Sequence, residues 1–161
     1  MIDAPIETWY TWLGIAAVSV LALGTAVGIP SGPTPDANGV ADTIDRVAAD
    51  EFPATAEHGI AADRIRLSPT RVSLRGPGGS TTAPIRFGPI TPATNAESDD
   101  RLRRVLHGEP PQRVFDSPDA LDRAATVSRG RYDRNPRWER APNRLRVRSI
   151  HWEGLRVTLV G

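Results

Sequence analysis

From Trp9 to Ile29 no side chain carries a charge, and Pro30 closes the run. At about 1.5 Å of rise per residue, a helix over that stretch reaches about 30 Å, the thickness of a bilayer's hydrocarbon core. Nothing else limits the fold as strongly, because such a run must be withdrawn from water whole. The leader, residues 1–8, holds Asp3 and Glu7 and no arginine, and Gly28-Ile29-Pro30 is a poor cleavage site. An uncleaved transmembrane anchor over 9–29 is therefore expected, rather than a removed signal. Trp9, Tyr10 and Trp12 are expected to be interface anchors at headgroup level. Gly24 and Gly28, at i and i+4, offer a helix–helix contact to membrane-protein partners, with a plain lipid-facing spacer as the alternative. No basic side chain precedes Arg46, so charge does not fix the orientation.

Beyond the run, residues 30–37 are rich in proline and read as a stiff linker. Residues 38–161 suffice for one small domain. All 20 basic side chains are arginine, against 19 acids, for a net charge of +1. That balance argues against a chain built around bulk attraction to nucleic acid, and no specific nucleic acid is expected as partner. With no cysteine there is neither a disulfide framework nor a thiolate metal site.

Periodicity places the elements. Asp36 or Asn38 caps a helix through Ala49 with Val40, Ile44 and Val47 on one stripe. From Arg64 the period falls to two, giving strands Arg64 to Leu67 and Thr70 to Arg75, with Ile65, Leu67, Val72 and Leu74 facing a core. Gly76 to Ser80 is a loop, and Pro84 to Phe87 is expected as the third strand. Ser98 caps a helix carrying Leu102, Val105 and Leu106, which Gly108 stops. Val114-Phe115 suggests an edge strand, and Ser117-Pro118-Asp119 opens a helix that Gly130 ends. Glu153-Gly154 is a hairpin turn that sets Trp152 opposite Leu155 and Ile150 opposite Val157. Leu145 and Val147 have the other parity, so either a bulge lies near Ser149 or the sheet has a second buried face. The expected fold class is α+β: one N-terminal transmembrane helix, then a small soluble domain with an antiparallel β-sheet and about three short helices.

For chemistry the sequence offers little. The Gly76 to Ser80 loop lacks the following lysine and helix N-terminus of a phosphate loop. His58, His107 and His151 stand far apart with no partner at ligand spacing, and no nucleophile elbow appears. No catalytic, cofactor or metal residues are assigned, and no small-molecule substrate is identified. The one charge anomaly is Arg129 to Arg148, with arginine at 129, 131, 134, 137, 140, 144, 146 and 148 and Tyr132 and Trp138 interleaved. Arg131, Arg134, Arg137 and Arg140 are candidates for contact with an anionic surface. The competing reading makes the segment an exposed loop and a polar strand face whose arginines pair with scattered acids.

Trp9-Tyr-x-Trp-Leu-Gly14, Gly39 to Ala49, Pro53 to His58, Val105-Leu-His-Gly108, Val114 to Pro118 and Val157 to Gly161 together resemble an uncharacterised haloarchaeal family of short single-span membrane proteins. Several such families look pilin-like and are associated with type IV pilus or Tad-like secretion machinery. The resemblance implies a cell-membrane protein with its C-terminal domain outside the cell. Two departures stand beside it: the chain is not strongly acidic, and its leader lacks the basic residue and glycine of a prepilin peptidase site. Three readings follow. The chain is a non-enzymatic accessory or minor pilin-like component in the lipid bilayer, or a membrane-anchored binding module using the basic 129–148 segment on anionic lipid or nucleic acid, or a membrane-bound enzyme with an unrecognised site.

Overall fold

The computed structural model describes residues 32–94 and 99–161. The first element is helix α1, Ala37–Ala49. Asp36 caps it by accepting from the Gly39 N–H at 2.8 Å. Val40, Ile44 and Val47 are buried along one stripe, as their spacing predicts. There follow β1 (Thr55–Gly59), β2 (Arg64–Ser68), β3 (Arg71–Gly76), β4 (Gly79–Pro84) and β5 (Thr91–Pro92). The second half holds α2 (Asp100–Leu106), α3 (Pro111–Val114), α4 (Pro118–Arg134), β6 (Glu139–Arg140), β7 (Arg144–Trp152) and β8 (Leu155–Val160).

The strands form two four-stranded sheets. The first has the order β1-β7-β8-β5 and the second β4-β3-β2-β6. Every described pairing is antiparallel except β5 with β8. The first sheet lies between two cores. Leu145, Val147 and Val160 join α1 and the inner residues of the second sheet in one cluster. Ile150, Val157 and Leu159 join Leu102, Val105 and Leu106 of α2 and Leu121 and Ala125 of α4 in the other. The β7–β8 register runs unbroken from Val147↔Val160 to Trp152↔Leu155. The parity change at Ser149 therefore reflects a second buried face and not a bulge. Glu153 (φ 48) and Gly154 (φ 84) make the expected tight turn.

The expected fold class needs correction. Among the described residues no helix is long and apolar enough to cross a membrane. The transmembrane helix expected over 9–29 lies outside them, as do Trp9, Tyr10, Trp12, Gly24 and Gly28. The single antiparallel sheet is two sheets, one of them mixed. The described helices number four, and α4 has 17 residues.

Local expectations shift for identifiable reasons. The third strand is Gly79–Pro84, not Pro84 to Phe87. Pro77-Gly78 alone turns the chain, and β4 pairs with β3 from Gly76↔Gly79 to Arg71↔Pro84. Of its residues only Ala83 is buried, so no apolar alternation marks it. Val114 closes the short helix α3, and Phe115 is buried beside it, so no edge strand forms there. Helix α4 passes Gly130 and ends at Arg134, because Tyr132 is buried in the last turn and its hydroxyl lies 2.9 Å from Thr94 Oγ1. The cap expected at Ser98 falls outside the described residues; Asp99 accepts from the Arg101 N–H at 2.9 Å. Strand β1, unforeseen, is an edge strand with no apolar alternation.

Two contacts tie the ends of the second sheet. Residues 32–36 run along the β3–β4 turn, where a Cβ on Gly78 would sit 2.3 Å from the Pro33 carbonyl oxygen. Thr81 Oγ1 donates to the Pro35 carbonyl at 2.6 Å. At the other end, the buried carboxylate of Asp45 accepts from the N–H groups of Arg86 and Phe87, each at 2.9 Å. Replacing Asp45 with alanine strands two donors and is expected to cost about 2 kcal/mol, while asparagine, which keeps an acceptor oxygen, costs less. Urea unfolding of both variants checks this, and an unshifted alanine midpoint would refute it. Removal of residues 155–161 takes side chains from both cores at once. Limited proteolysis is expected to leave no resistant fragment, and a stable domain-sized fragment would contradict the two-core arrangement.

Candidate functional site

Alternation in the second sheet sends two chemistries in opposite directions. Ile65 and Leu67 of β2, with Val72 and Leu74 of β3, point into the core. Arg64 and Arg66, with Arg71, Ser73 and Arg75, share the outer face. Strand β6 adds Arg140, directly opposite Arg64, whose other neighbour across the ladder is Arg75. Three arginines thus lie in one cross-strand row, and like charges in that position are destabilising. Trp138, two residues before Arg140, partly offsets the cost. The guanidinium carbons of Arg66 and Arg75 lie 4.7 and 4.5 Å from its ring centroid, within cation–π range. Among the described residues, none of Arg64, Arg66, Arg71, Arg75 and Arg140 forms an ion pair with a carboxylate. The remaining polar groups of the face are neutral, with Thr82 donating to Ser73 Oγ at 2.9 Å.

The four arginines proposed from sequence sit on different elements. Arg131 and Arg134 end α4, Arg137 lies in the following loop, and only Arg140 joins the sheet face. Arg131 instead lines a hollow of about 490 Å³ with Asp99, Arg101 and Arg123. Farther along, the pairing reading is correct. Arg146 donates from Nε to Glu57 at 3.0 Å, and Arg144 reaches the same carboxylate at 3.5 Å. The hydrogen bonds from Arg146, and then its charge, hold the Glu57 carboxyl below its ordinary pKa. Arg148 donates to the carbonyls of Val105 and Glu109 at the end of α2, where a cation favours the helix dipole. Burial lowers its pKa from the usual arginine value. Sequence reasoning missed Arg64, Arg66, Arg71 and Arg75. The available signal was their position on the polar parity of two strands, with no acid between them on that parity.

The histidines are dispersed in space as well as in sequence. His58 Nδ1 lies 2.9 Å from Thr43 Oγ1, His107 Nδ1 lies 3.2 Å from Arg146 Nη1, and His151 Nε2 lies 3.0 Å from Ser149 Oγ. The last pair sets a hydroxyl beside an imidazole, but Ser149 is only 1% exposed, which leaves no approach for a substrate. Among the described residues no group of three or more His, Asp or Glu is placed to hold a metal ion.

The model of a family of unknown function matches residues 3–150. No curated protein and no solved structure matches the chain. If the arginine row is kept at a cost to the fold, Arg64→Thr should raise stability by about 0.5 kcal/mol at low ionic strength, from relief of two like-charge contacts. In concentrated salt the gain should vanish. Thermal unfolding of the variant at both salt levels measures it, and a loss of stability at low salt would show that the arginine supports the fold.

Proposed function

We propose that this chain, which belongs to the DUF7283 family of unknown function, is a non-enzymatic, membrane-attached binding protein whose arginine and tryptophan sheet face docks on anionic lipid headgroups. The observation that carries the reading is a row of outward-facing arginines that, among the described residues, have no carboxylate partners. Such an arrangement gains its counter-charge from a partner. Each arginine near an anionic membrane surface contributes about 1 kcal/mol, and an aromatic ring among them suits the headgroup layer.

Connectivity favours lipid over other polyanions. The uncharged run 9–29, which lies outside the described residues, is separated from Gly32 by only Pro30 and Ser31. Gly32 and Pro33 already lie against the turn that joins β3 to β4. Membrane attachment through that run would hold the domain where headgroups are at high local concentration. The pilin-like, secretion-associated role and the extracellular domain rest on motif resemblance alone and draw no support from the described domain.

The test uses the full chain in vesicles of phosphatidylcholine, with and without phosphatidylglycerol, and an arginine-specific reagent such as phenylglyoxal read by mass spectrometry. Arg66, Arg75 and Arg140 should be protected by phosphatidylglycerol at low salt and released at high salt, while the exposed Arg113 reacts equally throughout. Equal reactivity of the face in both vesicle types would overturn the reading. Protection by single-stranded DNA but not by phosphatidylglycerol would replace lipid with nucleic acid.

A further inference from the structure

A second basic site lies in the first sheet, away from the face just described. Between α2 and the β1–β7 side of that sheet is a cleft of about 750 Å³, within the range of small-ligand pockets. Arg103 and Arg104 reach it from the helix, and Arg144 and Arg146 from strand β7. Among the described residues, Glu57 and Asp100 are the carboxylates that line it. Glu57 marks the point of convergence: its carboxylate is held by Arg144 at 3.5 Å and by Arg146 at 2.5 Å. Arg104 is committed to Glu109 through two nitrogens at 2.7 Å, and Arg146 to Glu57 and His107, but Arg103 and Arg144 keep most of their donors. A guanidinium has five N–H donors. Arg144 spends its own on one long contact and keeps its side chain 76% exposed, and Arg103 pairs through one nitrogen with Asp100.

His107 completes the wall. Arginine can only donate, so the 3.2 Å contact from Arg146 Nη1 makes His107 Nδ1 an acceptor and leaves the ring proton on Nε2. Pro142 supplies an apolar wall beside the charged groups, while Leu106 and Ala93 border the cleft at only 1% and 2% exposure.

We propose that this cleft binds a small phosphate monoester, with the phosphate between Arg103 and Arg144 and the organic group against Pro142. A planar carboxylate is satisfied by a single arginine fork. Donors that approach from a helix on one side and a strand on the other suit a tetrahedral oxyanion. The cleft exceeds the volume of a bare phosphate, which leaves room for the esterified group. Glu57 occupies part of the anion position and weakens binding by competition, so its neutralisation should tighten the complex.

The experiment titrates the full chain in detergent micelles with phenyl phosphate and with inorganic phosphate, followed by calorimetry. Arg103→Gln with Arg144→Gln should weaken phenyl phosphate binding by about tenfold or more, and Glu57→Gln should strengthen it severalfold. The three side chains are exposed or half-buried at the rim, and circular dichroism of each variant confirms an intact fold. No measurable heat with either probe, no effect of the arginine pair, or weaker binding in Glu57→Gln would overturn the proposal. Phenyl phosphate binding no tighter than inorganic phosphate would overturn the monoester assignment. Arg66→Gln with Arg75→Gln separates the two sites: it should abolish protection on phosphatidylglycerol vesicles and leave the titration unchanged.

Discussion

The fold depends on one hairpin that is apolar on both sides. In β7 and β8, Leu145, Val147 and Val160 face one core, while Ile150, Val157 and Leu159 face the other. A half-buried sheet needs one apolar parity, whereas a sheet between two layers needs both. The change of parity near Ser149 meets that need without a break in register. Everything else is arranged around the pair: α1 and the second sheet on one side, α2 and α4 on the other. The edge strands β1 and β5 complete the sheet and have no strong apolar pattern of their own.

That dependence explains which parts of the fold could be read in advance. Elements with their own period were visible: the Val40, Ile44 and Val47 stripe, the alternation of Ile65 and Leu67, and the turn at Glu153-Gly154. Elements defined by their neighbours were not. Strand β1 forms because β7 offers it a ladder from Arg144 to Arg148. Helix α4 runs past Gly130 because Tyr132 is seated against Thr94 and Glu139, a tertiary contact that outweighs the weak propensity of glycine. Strand β4 has a single buried apolar residue, Ala83, and only the turn before it fixes its start.

The same distinction governs the arginines. Arg146 and Arg148 of β7 and Arg104 of α2 meet acids or carbonyls, and their charge is spent within the molecule. On the outer face of the second sheet they meet one another and a tryptophan. Sequence spacing alone pointed to residues 131–140, where arginines recur every three residues, but density in sequence is not density in space. Only Arg140 crosses from that segment to the sheet face, because β6 pairs with β2. The remaining members come from strands some 60 to 75 residues along the chain, where their alternation with core residues made them look like ordinary solvent-facing positions.

The packing of residues 32–36 on the β3–β4 turn also has a mechanical side. Tension applied to the chain from its N-terminal direction would not reach α1 first. It would load the strap at Gly78 and the Thr81 to Pro35 hydrogen bond, and so pull on the β4 edge of the second sheet. That edge is held by a ladder to β3 and by the apolar seat of Ala83. Under load, the domain would yield there by peeling of one hairpin, with the two-faced hairpin β7–β8 shielded from the force.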